Sequence, residues 1–391
     1  HLHTESGTPL HLFNPAQIGQ GAPIPDIHRP NYLQQPYINL TYYLEWTHDA
    51  MPGPLLDTLR GTQAEQRPIW LMRQAGRYLP EYRALRAEKG GFLALVYDTD
   101  AAAEITLQPL QRFAMDGAIL FSDILIVPYA MGQHLEFLAG EGPRLSPRLV
   151  DAALAGLTAV PERLSPIYET VAKVRARLTP EQTMLGFAGS PWTVATYMVA
   201  GEGSRDQHET RAYAYRDPAA FQAIIDGIVA VTVEYLGGQI SAGAEAIQLF
   251  DSWAGSLAPA EFERWVIAPN ATIVSALKAR HPDTPIIGFP KGVGEKLPAY
   301  ARETGVDALG LDETIDPVWA HAVLPEGLPV QGNLDPLLLL QGGDELDRQA
   351  RHILEVLSGR PHVFNLGHGI NKETPIAHVE RLLSTVRAWR G

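Results

Sequence analysis

Two arginines separated by three residues are the first side chains whose types and spacing suggest chemistry. Arg73 and Arg77 flank Gln-Ala-Gly in the segment RQAGR, and Gly76 together with Pro80 favours an irregular loop there over a helix. Such a loop can direct guanidinium and backbone N–H groups into one space. Because arginine binds a carboxylate or phosphate through two parallel hydrogen bonds, we predict an anion-binding site at Arg73 and Arg77.

The alternative interpretation of this basic segment is a solvated edge whose cationic side chains pair with Glu81 and Glu88. We favour that interpretation for Arg83 and Lys89. The whole protein has a formal net charge of -13, so an anionic ligand has to be bound by a local positive field. The same net charge argues against general nucleic-acid binding, which depends on cationic side chains.

One aspartate lies in a stretch that is otherwise apolar. Asp123 stands in AILFSDILIVP, where a carboxylate is either buried or faces a cavity. A buried carboxylate needs a cationic or N–H partner. We therefore predict a ligand-facing role for Asp123, and the alternative is a structural ion pair with an arginine of the RQAGR loop.

Further polar residues have both a ligand-facing and a structural interpretation. Asp251 and Ser252 follow an apolar run in QLFDSWAG; the aspartate could be a cap or an internal hydrogen-bond hub, and the serine could contact a ligand. Tyr197 falls on a helix that begins at Pro191, where an aromatic side chain is core at least as often as not. His368 stands between two glycines, so we expect its imidazole to face a ligand.

The sequence contains none of the common catalytic or metal-binding motifs. There is no glycine-rich phosphate loop, no G-x-S-x-G elbow and no H-E-x-x-H pair. Cysteine is absent, which excludes thiolate nucleophiles and Cys-ligated zinc or iron–sulfur clusters. We therefore expect no metal. We find no apolar run of about 18 residues and no signal-peptide pattern, so we expect a cytoplasmic protein without a membrane segment.

The elements that must position these residues have the pattern of an α/β protein. Short runs rich in Ile, Val, Leu and Phe alternate with segments of helical period, which is typical of repeated βα units and a parallel sheet. Asp217 is a predicted N-cap before Pro218 at the first helical position. The predicted strands span residues 67–72, 117–123, 183–189, 246–252, 284–290, 307–313, 328–334 and 362–369.

Eight strands with helices between them predict a single (β/α)8 TIM barrel. The alternative is an open, doubly wound sheet, which usually carries a glycine-rich phosphate turn after its first strand, and that turn is absent. Polar residues collect where the predicted strands end, including Arg73, Asp123, Ser252 and His368. We therefore expect the active site at the C-terminal ends of the barrel strands.

The first fifty residues differ from the rest of the chain. Residues 1–50 are rich in Pro, Gln, Asn and His and show no sustained helical period. We interpret them as a leader or extension, non-native or poorly ordered, with Met51 a plausible native start. Residues 51–391 are the predicted barrel catalytic domain, and residues 130–164 form its largest insertion.

Five segments together resemble a known enzyme family. MRQAGRYLPEYR, FSDILIVP, SPWTVATYMV, LFDSWAG and NLGHGI stand in this order, and the chain resembles the uroporphyrinogen decarboxylases over about residues 53 to 391. The resemblance implies a (β/α)8 barrel, usually a homodimer, that acts without a cofactor in haem biosynthesis. It would remove CO2 from the four acetate side chains of uroporphyrinogen III and give coproporphyrinogen III, with no nucleic-acid or membrane partner.

The resemblance also implies roles for individual residues. The catalytic set would be Asp123, Arg73, Arg77, Tyr197 and His368; the substrate-binding set would be Arg73, Gln74, Ala75, Gly76, Arg77, Arg86, Asp123, Tyr197, Ser252 and His368. Asp123 would stabilise the pyrrole cation that drains electrons from the breaking C–C bond. The proton donor stays open between Arg73 and a water that it holds. Glu313 departs from the family, which often has Trp there.

Two rival interpretations accompany this one. Methyltransferases that serve corrinoid or thiol cofactors share the barrel, but they typically bind zinc through His and Cys, and this chain has no cysteine. A non-catalytic tetrapyrrole-binding protein would keep the pocket and lose turnover. Intact Asp123, Arg73, Arg77 and Tyr197 argue against that second alternative.

Overall fold

A computed structural model describes residues 53–138 and 142–391 of the chain. The predicted leader, residues 1–50, and the predicted start at Met51 lie outside the described residues. The described part is an α/β structure built on one curled parallel sheet.

Seven of the eight predicted strands form this sheet, in the spatial order β1-β4-β5-β6-β7-β8-β9. Each pairs in parallel with its neighbours, as in the register Leu185↔Ala246. Their residues are almost all buried, as expected of a sheet covered on both faces. The strands are β1 Gly117–Ile119, β4 Thr183–Gly189, β5 Ala246–Asp251, β6 Ile286–Pro290, β7 Ala308–Gly310, β8 Val330–Leu334 and β9 His362–Leu366.

The predicted strand at residues 67–72 is present only as an isolated bridge, in which Ile69 pairs in parallel with Phe364 of β9. On its other side the Ile69 carbonyl accepts a hydrogen bond from the Asp116 N–H at 3.0 Å. Pro68 has no N–H to donate. The N–H groups of Leu71 and Met72 donate to the side chains of Gln74 and Asn365, at 3.0 and 2.9 Å, instead of to the backbone of a neighbouring strand. The expected ladder is therefore short: Phe364 of β9 donates to the Pro68 carbonyl at 2.8 Å and accepts from the Trp70 N–H at 3.4 Å.

Side chains from non-neighbouring strands meet inside the curl of the sheet. Trp70 Nε1 donates to Gln331 Oε1 at 2.9 Å, and Gln331 Nε2 donates to Gln248 Oε1 at 3.0 Å. Gln331 lies on β8 and Gln248 on β5, and two strands separate them in the sheet. These contacts require a strongly curved sheet with a packed interior.

Helices lie between successive strands, and several start as the sequence predicts. Asp217 caps its helix by accepting from the Ala220 N–H at 3.0 Å, with Pro218 at the first helical position. The helices are α1 Pro54–Leu59, α2 Pro80–Lys89, α3 Phe92–Tyr97, α4 Thr99–Phe113, α5 Ile126–Ala130, α6 Ser165–Arg175, α7 Pro191–Ala200, α8 His208–Arg216, α9 Pro218–Ser241, α10 Pro259–Phe262, α11 Ala268–Arg280, α12 Leu297–Glu303, α13 Pro317–Val323, α14 Pro336–Gln341, α15 Gly343–Val356 and α16 Ile376–Ala388.

The predicted insertion contains a β-hairpin of its own. Strands β2, His134–Leu138, and β3, Gly142–Ser146, pair antiparallel. Leu135 and Leu145 face each other in this ladder, and both are buried. The hairpin lies after β1, where the helical pattern of the sequence is interrupted.

One helix corrects the expectation that no apolar run is long enough to span a membrane. Among the described residues, α9 is long and apolar enough to cross a membrane, judged by its length and composition alone. Of its most apolar 18 residues, 44% are buried inside the protein. Phe221, Ile224, Ile225 and Ile228 on this helix are buried. A core helix of a globular protein can be equally long and apolar.

Candidate active site

A cavity of about 1330 Å3 lies at the C-terminal ends of the strands. The loop after Ile69 and the segments that follow β1, β5 and β9 all contribute to its wall. Nine of the ten predicted ligand-contacting residues line it: Arg73, Ala75, Gly76, Arg77, Arg86, Asp123, Tyr197, Ser252 and His368. The topology therefore brings together side chains that are almost 300 residues apart in the chain.

Arg73 is held in an unusual backbone conformation. Its φ of 61° lies in the left-handed region, which non-glycine residues seldom adopt. Gly369 lets its side chain pass, because a Cβ at position 369 would lie only 2.3 Å from Arg73 Cδ. Arg73 is thus aimed by two local features, a backbone kink and a missing side chain.

Gln74 is the one residue of the predicted substrate-binding set that does not line the cavity. The residue is fully buried; its Oε1 accepts from the Leu71 N–H at 3.0 Å, and its Nε2 donates to the Gly117 carbonyl at 2.8 Å. Its backbone N–H donates to the Leu71 carbonyl at 2.9 Å. Gln74 therefore anchors the RQAGR loop to β1.

Two other cations of the basic segment have structural roles. Arg83 is exposed, as expected of a surface charge, and its Nη1 also donates to the carbonyls of Arg77 and Tyr78 at 2.8 and 3.1 Å. Lys89 pairs with Asp98 at 3.0 Å. Glu81, expected to pair within the segment, instead binds Arg112 through two hydrogen bonds of 2.8 and 2.9 Å. Arg77 and Arg86 remain at the cavity wall.

Asp123 faces the cavity with a backbone partner, and it forms no ion pair with any residue that the structure describes. Its Oδ1 accepts from the Leu125 N–H at 2.8 Å. Burial raises the pKa of Asp123 to about 6, while the Leu125 hydrogen bond and the charge of Arg73 oppose that rise. The carboxylate is therefore mostly ionised at neutral pH.

Tyr197 and Ser252 reach the cavity from two different elements. Tyr197 is on α7, and burial raises the pKa of its phenol while a hydrogen bond with Trp253 lowers it. Ser252 follows β5 directly. Its neighbour Asp251 is completely buried and accepts from Thr193 Oγ1 at 2.5 Å. Of the alternatives for Asp251, the structure shows the internal hydrogen-bond hub.

His368 stands at the end of β9 between two cations. Burial, Arg73 and Lys291 together lower its pKa to about 3, so the imidazole is neutral at physiological pH. Its ring stacks on Phe289 with centroids 6.2 Å apart. A neutral imidazole can both donate and accept a hydrogen bond, which suits it to bind a ligand.

Several cavity residues were missed by the sequence-based prediction. Lys372 and Asn371 line the wall just beyond His368, and the rule that strand ends carry function could have reached them. Glu313, noted only as a departure, lines the cavity and pairs with Lys291 at 3.0 Å. The apolar walls of the cavity are formed by aromatic rings, which cannot be told from core residues in the sequence. They are Tyr82, Phe92, Phe121, Phe137, Phe187 and Phe250.

This arrangement can bind a large anion with apolar surface and stabilise positive charge inside it. Four cations line the cavity, namely Arg73, Arg77, Arg86 and Lys372, and aromatic walls suit a flat apolar body. A fixed, mostly ionised carboxylate favours a developing cation. Within residues 53–138 and 142–391, no group of three His, Asp or Glu side chains is placed to hold a metal ion.

Comparison with known proteins gives one family. The family described as "Uroporphyrinogen decarboxylase (URO-D)" matches residues 52–389. The uroporphyrinogen decarboxylase of Novosphingobium aromaticivorans is 76% identical over 87% of this chain and 99% of that protein. The one of Erythrobacter litoralis is 71% identical over 87% of this chain and all of that protein.

A solved structure with a similar fold is a methyltransferase from Methanosarcina mazei. It superposes with a TM-score of 0.72 at 19% identity, covering 85% of this chain and 97% of that one. At this identity the likeness concerns the fold alone.

Proposed function

This chain belongs to the uroporphyrinogen decarboxylase family and is a carboxy-lyase that acts on uroporphyrinogen in porphyrin biosynthesis, and we propose that the cavity at the strand ends is where it does so. The observation that carries this proposal is the joint placement of a cationic loop, aromatic walls and the half-buried carboxylate of Asp123 in a single cavity. The reaction would remove CO2 from the four acetate side chains.

The positive and negative side chains of the cavity would have different roles. Uroporphyrinogen carries eight carboxylates around four pyrroles, so Arg73, Arg77 and Arg86 would bind its acidic periphery. Asp123 would accept hydrogen bonds from the pyrrole N–H groups at its centre. When the pyrrole carbon beside an acetate is protonated, the ring becomes cationic and draws the electrons of the breaking C–C bond. The ionised Asp123 would stabilise that cation.

The remaining polar residues would orient the substrate. Tyr197, Ser252 and neutral His368 line the cavity from three different segments of the chain and would offer hydrogen bonds to the substrate. Because its pKa is about 3, His368 is a poor reservoir for the proton that each step consumes. The proton would come from Arg73 or from a water that Arg73 holds, and no cofactor would take part.

We extend the proposal to the architecture. Residues 67–72 would complete an eight-stranded (β/α)8 barrel between β9 and β1. On one side the Phe364 backbone bonds the Pro68 carbonyl and the Trp70 N–H, and on the other the Ile69 carbonyl accepts from the Asp116 N–H. The contact of Trp70 with Gln331 across the sheet interior supports this closure. The family resemblance supports a cytoplasmic homodimer without nucleic-acid or membrane partners, which sedimentation of the purified protein can test.

The deciding experiment is an anaerobic assay with uroporphyrinogen, in which oxidised products are separated as porphyrins. We expect coproporphyrin together with intermediates carrying seven, six and five carboxylates, with no added cofactor and in the presence of a chelator. Folded protein that binds uroporphyrinogen and yields no product would overturn the proposal and favour a non-catalytic tetrapyrrole-binding protein.

A further inference from the structure

A buried hydrogen-bond chain connects two of the segments that line the cavity. Thr193 Oγ1 donates to Asp251 Oδ1 at 2.5 Å and accepts from the Trp253 N–H at 3.1 Å. Thr193 and Asp251 are both completely buried. Neither residue lines the cavity, so neither can contact a ligand directly.

The residues of this hydrogen-bond chain are close in sequence to two residues that line the cavity. Thr193 and Tyr197 are four residues apart on α7, so their side chains lie on the same face of the helix. Ser252 lies between Asp251 and Trp253, the two residues that Thr193 bonds. One hydroxyl thus connects the helix that carries Tyr197 to the turn that carries Ser252.

The turn is also fixed at its other end. The Trp253 carbonyl accepts from Trp192 Nε1 at 3.1 Å and from Ser256 Oγ at 2.8 Å. The Trp253 peptide therefore has partners on both its N–H and its carbonyl group. Since α7 supplies both Trp192 and Thr193, rotation or sliding of this helix would carry the turn with it.

Burying the Asp251 carboxyl group in this hydrogen-bond chain costs free energy. Burial raises the pKa of Asp251 to about 7, while hydrogen bonds with the Thr193 hydroxyl, the Asn270 side chain and the Thr193 backbone oppose that rise. None of the ion pairs formed by the described residues includes Asp251. A buried acid without a charged partner contributes little to stability, because desolvation offsets its hydrogen bond. A positioning role accounts for its presence better than stability does.

We infer that Thr193 and Asp251 are positioning residues, whose hydrogen bond sets the placement of Tyr197 relative to Ser252 in the cavity. The inference deepens the proposed function and rests on it. Small displacements of substrate-orienting groups can lower a rate by about a hundredfold. The bond should therefore affect turnover more than it affects folding.

The test compares Thr193→Val, which removes the hydroxyl at constant shape, with Thr193→Ser, which keeps it. Thr196→Val is the matched control, because Thr196 is a buried threonine on the same helix whose hydroxyl bonds only within that helix, to the Thr193 carbonyl at 2.7 Å. All variants and the wild type are assayed anaerobically with uroporphyrinogen, and kcat and KM are determined separately.

We expect Thr193→Val to lower kcat about ten- to a hundredfold, Thr193→Ser to recover at least half of the wild-type kcat, and Thr196→Val to leave it unchanged. Asp251→Asn keeps an acceptor for Thr193 and should retain most activity, whereas Asp251→Leu should resemble Thr193→Val. The double variant Thr193→Val with Asp251→Leu should be no worse than either single one.

The inference is overturned if Thr193→Val keeps the wild-type kcat, or if Thr193→Ser and Thr196→Val are both as slow as Thr193→Val. Thermal unfolding of each variant separates lost turnover from lost folded protein. An inactive wild type that binds uroporphyrinogen would instead contradict the proposed function itself, so the two failures are distinguishable.

Discussion

The carboxylate of Asp123 accepts a hydrogen bond from the backbone N–H of Leu125 at 2.8 Å, and within the described residues no arginine or lysine forms an ion pair with it. A backbone N–H carries no net charge, so this partner leaves the negative charge of Asp123 uncompensated. The charge of Asp123 is therefore held in place by its own chain, two residues on, and is free to act on the ligand.

Replacing that charge should lower the rate of turnover strongly. In Asp123→Asn the shape is kept but the pyrrole cation loses its stabilising carboxylate, and we expect kcat to fall by about a hundredfold or more. Binding of uroporphyrinogen, followed by fluorescence quenching, should remain detectable because the arginines are untouched. Full activity in this variant would contradict the assigned role of Asp123.

The pH dependence of kcat/KM should show the titration of Asp123. Its pKa of about 6 lies above the usual aspartate value because of burial, and the ionised form is the one that stabilises a cation. The rate should therefore fall as the pH drops through about 6. The variant Arg86→Ala keeps Asp123, so its kcat/KM should fall over the same acidic pH range. A rate that rises on acidification would mean that the protonated carboxyl is the active form.

Gly369 should be required for the placement of Arg73. A methyl group at position 369 would lie 2.3 Å from Arg73 Cδ, so Gly369→Ala should displace the arginine side chain and lower kcat/KM about tenfold. Gly156→Ala is the control, because nothing lies within 4 Å of a Cβ there. Equal activities of the two variants would show that Arg73 adapts without loss.

Arg86 should contribute to binding more than to the chemical step. Arg86→Ala should raise KM about five- to tenfold with little change in kcat, since a contact at the substrate periphery persists through the reaction. Lys89→Ala removes the same charge from the same helix but from a residue outside the cavity wall. A comparable rise in KM for both variants would indicate general electrostatic attraction instead of a contact.

Stability at low pH should depend on His362. Burial, a stronger effect than the neighbouring Arg67 and Arg360, lowers its pKa to about 4. The unfolded chain binds a proton below pH about 6.5 and the folded chain does not, so stability falls as the pH drops from there toward about 4. This amounts to about 2 kcal/mol between about pH 7.5 and pH 5. Urea unfolding of His362→Gln should lack this loss, whereas the exposed-site variant His352→Gln should keep it.

The position of the site followed from simple rules. An apolar run that ends in a polar residue located Asp123, Ser252 and His368, because parallel strands all end at one edge of the sheet. The strand at residues 183–189 was predicted with its observed bounds. These features depend on local hydrophobic pattern alone.

Other features depend on contacts that a sequence does not reveal. Gln74 turns inward because the Leu71 N–H and the Gly117 carbonyl need partners there, and nothing in RQAGR specifies that direction. Arg83 is exposed, as predicted for a surface charge, but nothing in the sequence indicates that it also donates to the carbonyls of Arg77 and Tyr78. Phe187 and Phe250 lie in buried strands, where an aromatic that faces a cavity and one that faces the core look alike.

The cationic wall formed by Arg73, Arg77, Arg86 and Lys372 has a consequence for the end of the catalytic cycle. Under the proposed function, the ligand enters with eight carboxylates and loses one at each step until four remain. Attraction to a fixed positive wall weakens with every charge that the ligand gives up. The chemistry itself would thereby shift the balance from retention of the partly processed intermediates toward release of the finished product.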